Sequence, residues 1–426
     1  MRRSRTIVVG AGLSGLAAAR RLAAAGCDIC VLEARERVGG RAWRAALPGG
    51  AAWDVGCQVL DDRHEALLAL AADLGVGVYR ADPWLPDGMR WVVGERRSDS
   101  GPPLDAGDLA LFNALAEAIH ELELRVDPLR PDALEDAERL DRETLAGWLR
   151  TRGASAELLA VAESWYAIGS SSVPIDEMSL LAYAAKRAAG ASGPFELRLD
   201  GGPGTLARRL AESLPAPIVL GARVCGIEQT GDEVVVRCAD GRIERAAHAV
   251  VALPLTVQRE IRFAPELPAR RRLALERARY GDVVKAVIRA GEPLRGASAL
   301  TDTAFFARHD ERDDLLVAFC GSRPARRLAS LPAPARSAEI ARRASAALGL
   351  RELETLEAIA WTNEAATKGS YVIFGPADLL RWGMHLAEPH GRVHFAGSEA
   401  SELPSYMEGA VRAGVRVTEE VLATSG

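Results

Sequence analysis

A glycine-punctuated strand and helix near the start of the chain limit its fold more than any other feature. In IVVGAGLSGLAAARRL, from Ile7 to Leu22, a short apolar strand runs into Gly10, Gly12 and Gly15 and then into a helical pattern. Lacking Cβ atoms, Gly10 permits the tight turn, Gly12 lets backbone approach a pyrophosphate, and Gly15 lets the helix lie close to the strand. The helix N-terminus then offers unpaired N–H groups and a positive dipole end to phosphates. A second strand, Asp28 to Leu32, delivers Glu33 to where an adenosine ribose presents two hydroxyl donors. Strand, glycine turn, helix, strand and acid in this order predict a Rossmann-type dinucleotide socket.

The 426 residues leave room for two or three domains at roughly 150 residues each. A hydrophobic fraction of 48% and a charged fraction of 26% fit a globular chain. The formal net charge of −5 gives no reason to expect a nucleic-acid partner. The first strand opens within ten residues of Met1 and no apolar run is long enough to span a bilayer. The expectation is a cytoplasmic protein with neither leader nor membrane anchor. Cys27, Cys30, Cys57, Cys225, Cys238 and Cys320 are scattered, which argues against structural disulfides. Cys27 and Cys30 form a CxxC without a second pair, so core packing is expected there and no metal site.

Downstream, a helical pattern covers His64 to Leu74, and from about Tyr79 to Asp200 the chain turns to Ala/Leu/Glu/Arg-rich helices broken by Pro and Gly. GGPGTLARRLAESL enters another helix, strand-like runs cover Arg223–Ile227 and Glu233–Cys238, and Asp240-Gly241 marks a hairpin. Ala249–Leu253 and Asp282–Ile288 read as further strands, and VHFAG precedes a glycine-containing last helix. The expected architecture is α/β: a discontinuous dinucleotide-binding domain from residues 1–79, 201–272 and 385–426, and an α+β substrate domain from 80–200 and 273–384.

VGAGLSGLAAARRL, VLEARERVGGR, WDVGCQV, LDGGPGTLARRL and HFAGSEASELPSYMEGAVRAGVRV together resemble the flavin-containing amine oxidases. The resemblance implies FAD rather than NAD. It implies that Glu33 binds the adenosine ribose, that Arg41 lies near the pyrophosphate, that the backbone of Val224 meets the adenine, and that Glu399 and Met407 flank the ribityl chain and flavin edge. Gly10, Gly12, Ser14, Gly15, Arg35, Gly40 and Trp361 complete the cofactor set; Trp361 is also readable as a plain core tryptophan. Lys285 in YGDVVKAVI matches a lysine that holds a water beside flavin N5, although the residue alone also allows a strand lysine whose head reaches water. Tyr371 and Tyr406 match an aromatic cage whose negative faces orient an amine; two core tyrosines is the plainer alternative. Phe195 falls near a substrate-contacting position.

Two positions depart from the pattern. Ser370 stands where a flavin-bonded cysteine is found in monoamine oxidases, which implies non-covalent FAD, and Cys57 replaces a glycine beside the flavin. The implied activity is oxidation of an amine by hydride transfer from the α-carbon. The resulting imine hydrolyses to aldehyde or keto acid, and O2 is the expected acceptor, giving hydrogen peroxide. An L-amino-acid oxidase, or a desaturase or protoporphyrinogen-oxidase-like flavoenzyme, remains an alternative. A homodimer is compatible with the sequence.

Overall fold

The computed structural model describes residues 5–48, 50, 52–83, 85–86, 88–294, 296–308 and 315–424. Arg5–Val9 (β1), Leu13–Ala24 (α1) and Asp28–Leu32 (β2) form the expected strand, helix and strand. β1 is the middle strand of a five-stranded parallel sheet ordered Val393–Phe395, His248–Val251, β1, β2, Ile218–Val219. Parallel strands covered on both faces read as continuous apolar runs. Ile7, Val8, Ala249 and Val250 are accordingly fully buried. Three distant stretches of chain thus supply one sheet, and the closing helix Met407–Thr424 packs on α1. Glycine makes that approach close: a Cβ on Gly414 would lie 2.7 Å from the Ser14 carbonyl oxygen.

A four-stranded sheet carries the Asp240-Gly241 hairpin, pairing Val224–Thr230, Glu233–Cys238 and Ile243–Ala246, with Arg262–Ala264 at its edge. A seven-stranded sheet holds Val283–Ala290 one strand in from its edge, paired antiparallel with Leu315–Gly321 on one side and with the edge strand Leu353–Ala360 on the other. This sheet corrects the expectation of an all-helical stretch between Tyr79 and Asp200. Arg90–Val93 and Arg96–Ser98 form a hairpin at its edge, and Arg90–Val93 lies parallel to Ser298–Thr301. The helical segment also leaves and returns through paired strands, Val78–Arg80 against Leu197–Leu199.

The helices between them contain two π-helical segments, Glu163–Ser171 and Arg187–Ala191. Such widened turns cluster at functional sites because they re-aim side chains. None of the described helices is long and apolar enough to cross a membrane.

Candidate active site

A cavity of about 560 Å³ begins at the N-terminus of α1 and extends to Tyr371 and Tyr406. Its first wall is the glycine turn. Gly10 has φ +102°, and a Cβ there would sit 2.7 Å from the Ala252 carbonyl oxygen. Gly12 has an ordinary φ of −75°, and its Cβ would meet no protein atom within 4 Å. Gly12 therefore faces cavity space that backbone alone borders, and Gly40 stands opposite, its Cβ position 3.4 Å from the Gly12 Cα. Gly15 serves packing. It does not line the cavity, and a Cβ would fall 2.0 Å from the Gly10 carbonyl oxygen, so it acts by letting α1 close against the turn.

Glu33 is buried at the end of β2, where Oε2 accepts from the Ala11 N–H at 2.8 Å and Oε1 from the Arg35 N–H at 2.9 Å. These bonds fix the carboxylate and leave lone pairs for hydroxyl donors. Ser14 lines the cavity and its Oγ accepts from the Gly397 N–H at 2.8 Å, joining α1 to the last strand. Arg35 lies beside Glu33, with Nη1 at 3.9 Å, and its buried Nε has no hydrogen-bond acceptor among the described residues. Val224 reaches the cavity at a break in strand register between Val224 and Gly226. An open backbone cradle, a helix N-terminus, a fixed buried acid and an unpaired guanidinium N–H fit a dinucleotide such as FAD.

Arg41 occupies the junction of the cavity. Its Nη1 donates to the Ser370 carbonyl at 2.7 Å, and its Nη2 donates to Glu399 Oε1 at 2.7 Å and more weakly to Ser398 Oγ at 3.4 Å. Burial opposes the Arg41 charge, and the Glu399 carboxylate outweighs it, holding the guanidinium protonated. Met407, at the start of the last helix, lines the same region. Ser370 turns its Oγ to the Gly281 carbonyl at 3.1 Å. Trp361 lines the cavity too, with Nε1 donating to the Val55 carbonyl at 2.9 Å and its ring edge-on to Trp43.

Lys285 borders the cavity. Its Nζ donates to the Asp54 carbonyl at 2.7 Å, the Gly56 carbonyl at 2.9 Å and Gln58 Oε1 at 2.8 Å. An ammonium has three N–H donors. All three meet acceptors on the segment that floors the cavity, which Lys285 thereby clamps. Burial pulls Lys285 down to about 8, against Asp54 and Cys57, which favour its charge. Burial also pushes Asp54 up to about 6 and the Cys57 thiol up to about 12, leaving that thiol unreactive at neutral pH.

Tyr371 and Tyr406 both reach the cavity. Tyr371 is held by a hydroxyl contact of 2.7 Å to Ser172 Oγ, and Ser172 owes its place to a left-handed φ of 59° that ends the first π segment. Tyr406 stacks on Phe195, with centroids 5.5 Å apart and planes 11° from parallel, which brings Phe195 to the site. Burial raises both phenols above their ordinary range, so they are neutral at any working pH. Sequence reasoning missed Ser172 and Lys186. Lys186 sits where the helix Leu180–Lys186 meets the second π segment, its Nζ 5.7 Å from the ring centroids of both Tyr183 and Tyr406. One signal was available: a cation closing the apolar run LLAYAA in a chain with only three lysines.

A sequence profile described as flavin containing amine oxidoreductase matches residues 13–422. The chain belongs to that family. It is an FAD-dependent amine oxidoreductase. A flavin-containing amine oxidase of Danio rerio is 28% identical over 457 residues, covering 99% of this chain and 86% of the relative. AofH of Mycobacterium tuberculosis (strain ATCC 25618 / H37Rv) is 31% identical over 451 residues, covering 98% and 96%. Among solved structures, cyclohexylamine oxidase from Brevibacterium oxydans IH-35A superposes with a TM-score of 0.85 at 26% identity, and a double mutant of putrescine oxidase with 0.86 at 25%. Each covers 99% of both chains. The glycine turn and acid of the cavity fit the flavin of that family.

Proposed function

We propose that the enzyme oxidises an amine held between Tyr371 and Tyr406, with O2 as the electron acceptor and hydrogen peroxide as a product. The observation that carries this reading is the placement of both tyrosines on the one cavity that begins at the Gly12 cradle. FAD, when bound, supplies the two-electron redox chemistry that no side chain has. The protein contributes position and electrostatics. The π faces of Tyr371 and Tyr406 orient the amine nitrogen. Their dry surroundings disfavour the ammonium form, freeing the lone pair needed as the α-hydrogen leaves. Ser172 fixes Tyr371 and Phe195 fixes Tyr406, so the slot is set before substrate arrives. Lys285 anchors the floor through Asp54, Gly56 and Gln58. Water then hydrolyses the imine to an aldehyde or keto acid.

Glu33, Arg35, the glycine turn and Val224 serve the adenosine and phosphate end in this reading, and Arg41, Glu399, Met407 and Trp361 the flavin end. Residues 1–79, 201–272 and 385–426 form the FAD-binding domain, and the remainder forms the substrate domain. FAD is held without a covalent bond, because Ser370 offers a hydroxyl engaged with Gly281 where a thioether needs a thiol. The six cysteines stand as thiols, as in proteins of a reducing compartment, and the reading includes a cytoplasmic location. An assay for peroxide against amine consumed tests the reaction, with equal amounts expected. Acid precipitation tests the linkage: the yellow colour is expected in the supernatant, and colour in the pellet would contradict it.

A further inference from the structure

The far end of the cavity holds a buried charge that amine oxidation itself leaves unexplained. Lys186 is 5% exposed, lines the cavity, and has neither a hydrogen bond nor an ion pair among the described residues. Its neighbour Arg187 donates to Glu123 at 3.2 Å, so that charge is compensated. The only carboxylates among the described lining residues are Glu33 and Glu399, the first bonded at the glycine turn and the second paired with Arg41. The Tyr406 end therefore carries an ammonium with no anion to meet it among the described residues. A buried charge is retained at a cost unless a partner offsets it.

We propose that Lys186 is the specificity-determining residue of the substrate pocket, binding the carboxylate of an amine that carries one and rejecting diamines. The inference rests on the reading of Tyr371 and Tyr406 as the amine slot, since Lys186 lies 5.7 Å from the Tyr406 ring centroid, within reach of a second group on the same small molecule. A charge-assisted hydrogen bond from a desolvated ammonium strengthens carboxylate binding. The same ammonium repels the second cation of a diamine. Burial, followed by Arg187, pulls Lys186 down to about 8, which keeps it mostly protonated at neutral pH.

A six-carbon ligand series on the FAD-loaded enzyme tests this. In isothermal titration at pH 7, hexanoate should bind about tenfold or more tightly than hexan-1-ol, and Lys186→Met should abolish the difference. Equal binding of the two by the wild type, or hexanoate binding that survives in Lys186→Met, overturns the proposal. Should Lys186→Met fail to fold, Lys186→Gln and the wild-type comparison still decide it. Turnover supplies the second arm. Either 2-aminohexanoate or 6-aminohexanoate should exceed hexylamine in kcat/KM by about tenfold, with 1,6-diaminohexane poorest, and the better of the two tells an α-carboxylate from a distal one. A diamine as best substrate contradicts the proposal. If no amine reduces the flavin, the amine-slot reading fails on its own account, while the titration still tests Lys186.

Discussion

At the scale of single residues, the site is held by side chains whose bonds are already used within the protein. Lys285 is the clearest case. In Lys285→Met the side-chain volume is kept, but the carbonyls of Asp54 and Gly56 and the amide oxygen of Gln58 lose their donor. An unsatisfied buried polar group costs about 1–3 kcal/mol, so the variant should melt several degrees lower and retain FAD less well. Its flavin-reduction rate per bound flavin should stay within about threefold of wild type, a difference near 0.65 kcal/mol. An unchanged melting temperature with a collapsed rate would contradict the clamp and favour a water-holding role beside the flavin. Lys285 was legible as special because lysine is rare here and lies on an apolar strand. What it bonds was not legible, since its three acceptors lie more than 220 residues away in the chain.

The elements that bind the cofactor were the most readable, because their physics is local. Apolar runs and glycine spacing predicted β1, α1 and β2 to within two residues, and Asp240-Gly241 marked a real hairpin. Arg90–Ser98 escaped notice because its short strands carry three arginines, and its place is set by pairing with Ser298–Thr301, far along the chain. Both π segments escaped as well, since a widened turn leaves the apolar periodicity nearly intact. The glycine turn yields its own prediction. Gly12→Val adds a branched side chain where the backbone angle is ordinary and no protein atom lies within 4 Å, so the fold should be kept and the cofactor displaced. The expected product is a colourless protein with native circular dichroism, checked by flavin absorbance; a yellow variant with wild-type FAD affinity would place the pyrophosphate elsewhere.

Across the whole molecule, acid stability tests the packing between the FAD-binding sheet and the substrate pocket. His64 is fully buried against Phe195 and Tyr406, and its Nδ1 accepts from the Asp61 N–H at 3.2 Å, a bond that only the neutral ring can make. Burial pulls His64 down to about 4. The unfolded chain therefore takes up this proton first, and the stability present above about pH 6.5 is lost as pH falls toward 4, on the order of 2–3 kcal/mol. Asp54, pushed up to about 6, acts in the opposite sense, so the comparison is made between wild type and His64→Asn, which keeps an acceptor for Asp61. The variant should lose less stability over that window, and parallel melting curves would contradict the assignment. In the proposed mechanism one cavity holds FAD and presents an amine to it between Tyr371 and Tyr406. Anaerobic stopped-flow reduction of the bound flavin by a turnover substrate tests it most directly, comparing wild type with Tyr371→Ala and Tyr406→Ala at equal flavin content. The wild-type flavin should bleach, and each variant should keep its FAD but bleach about tenfold more slowly. Bleaching of both variants at the wild-type rate would contradict it.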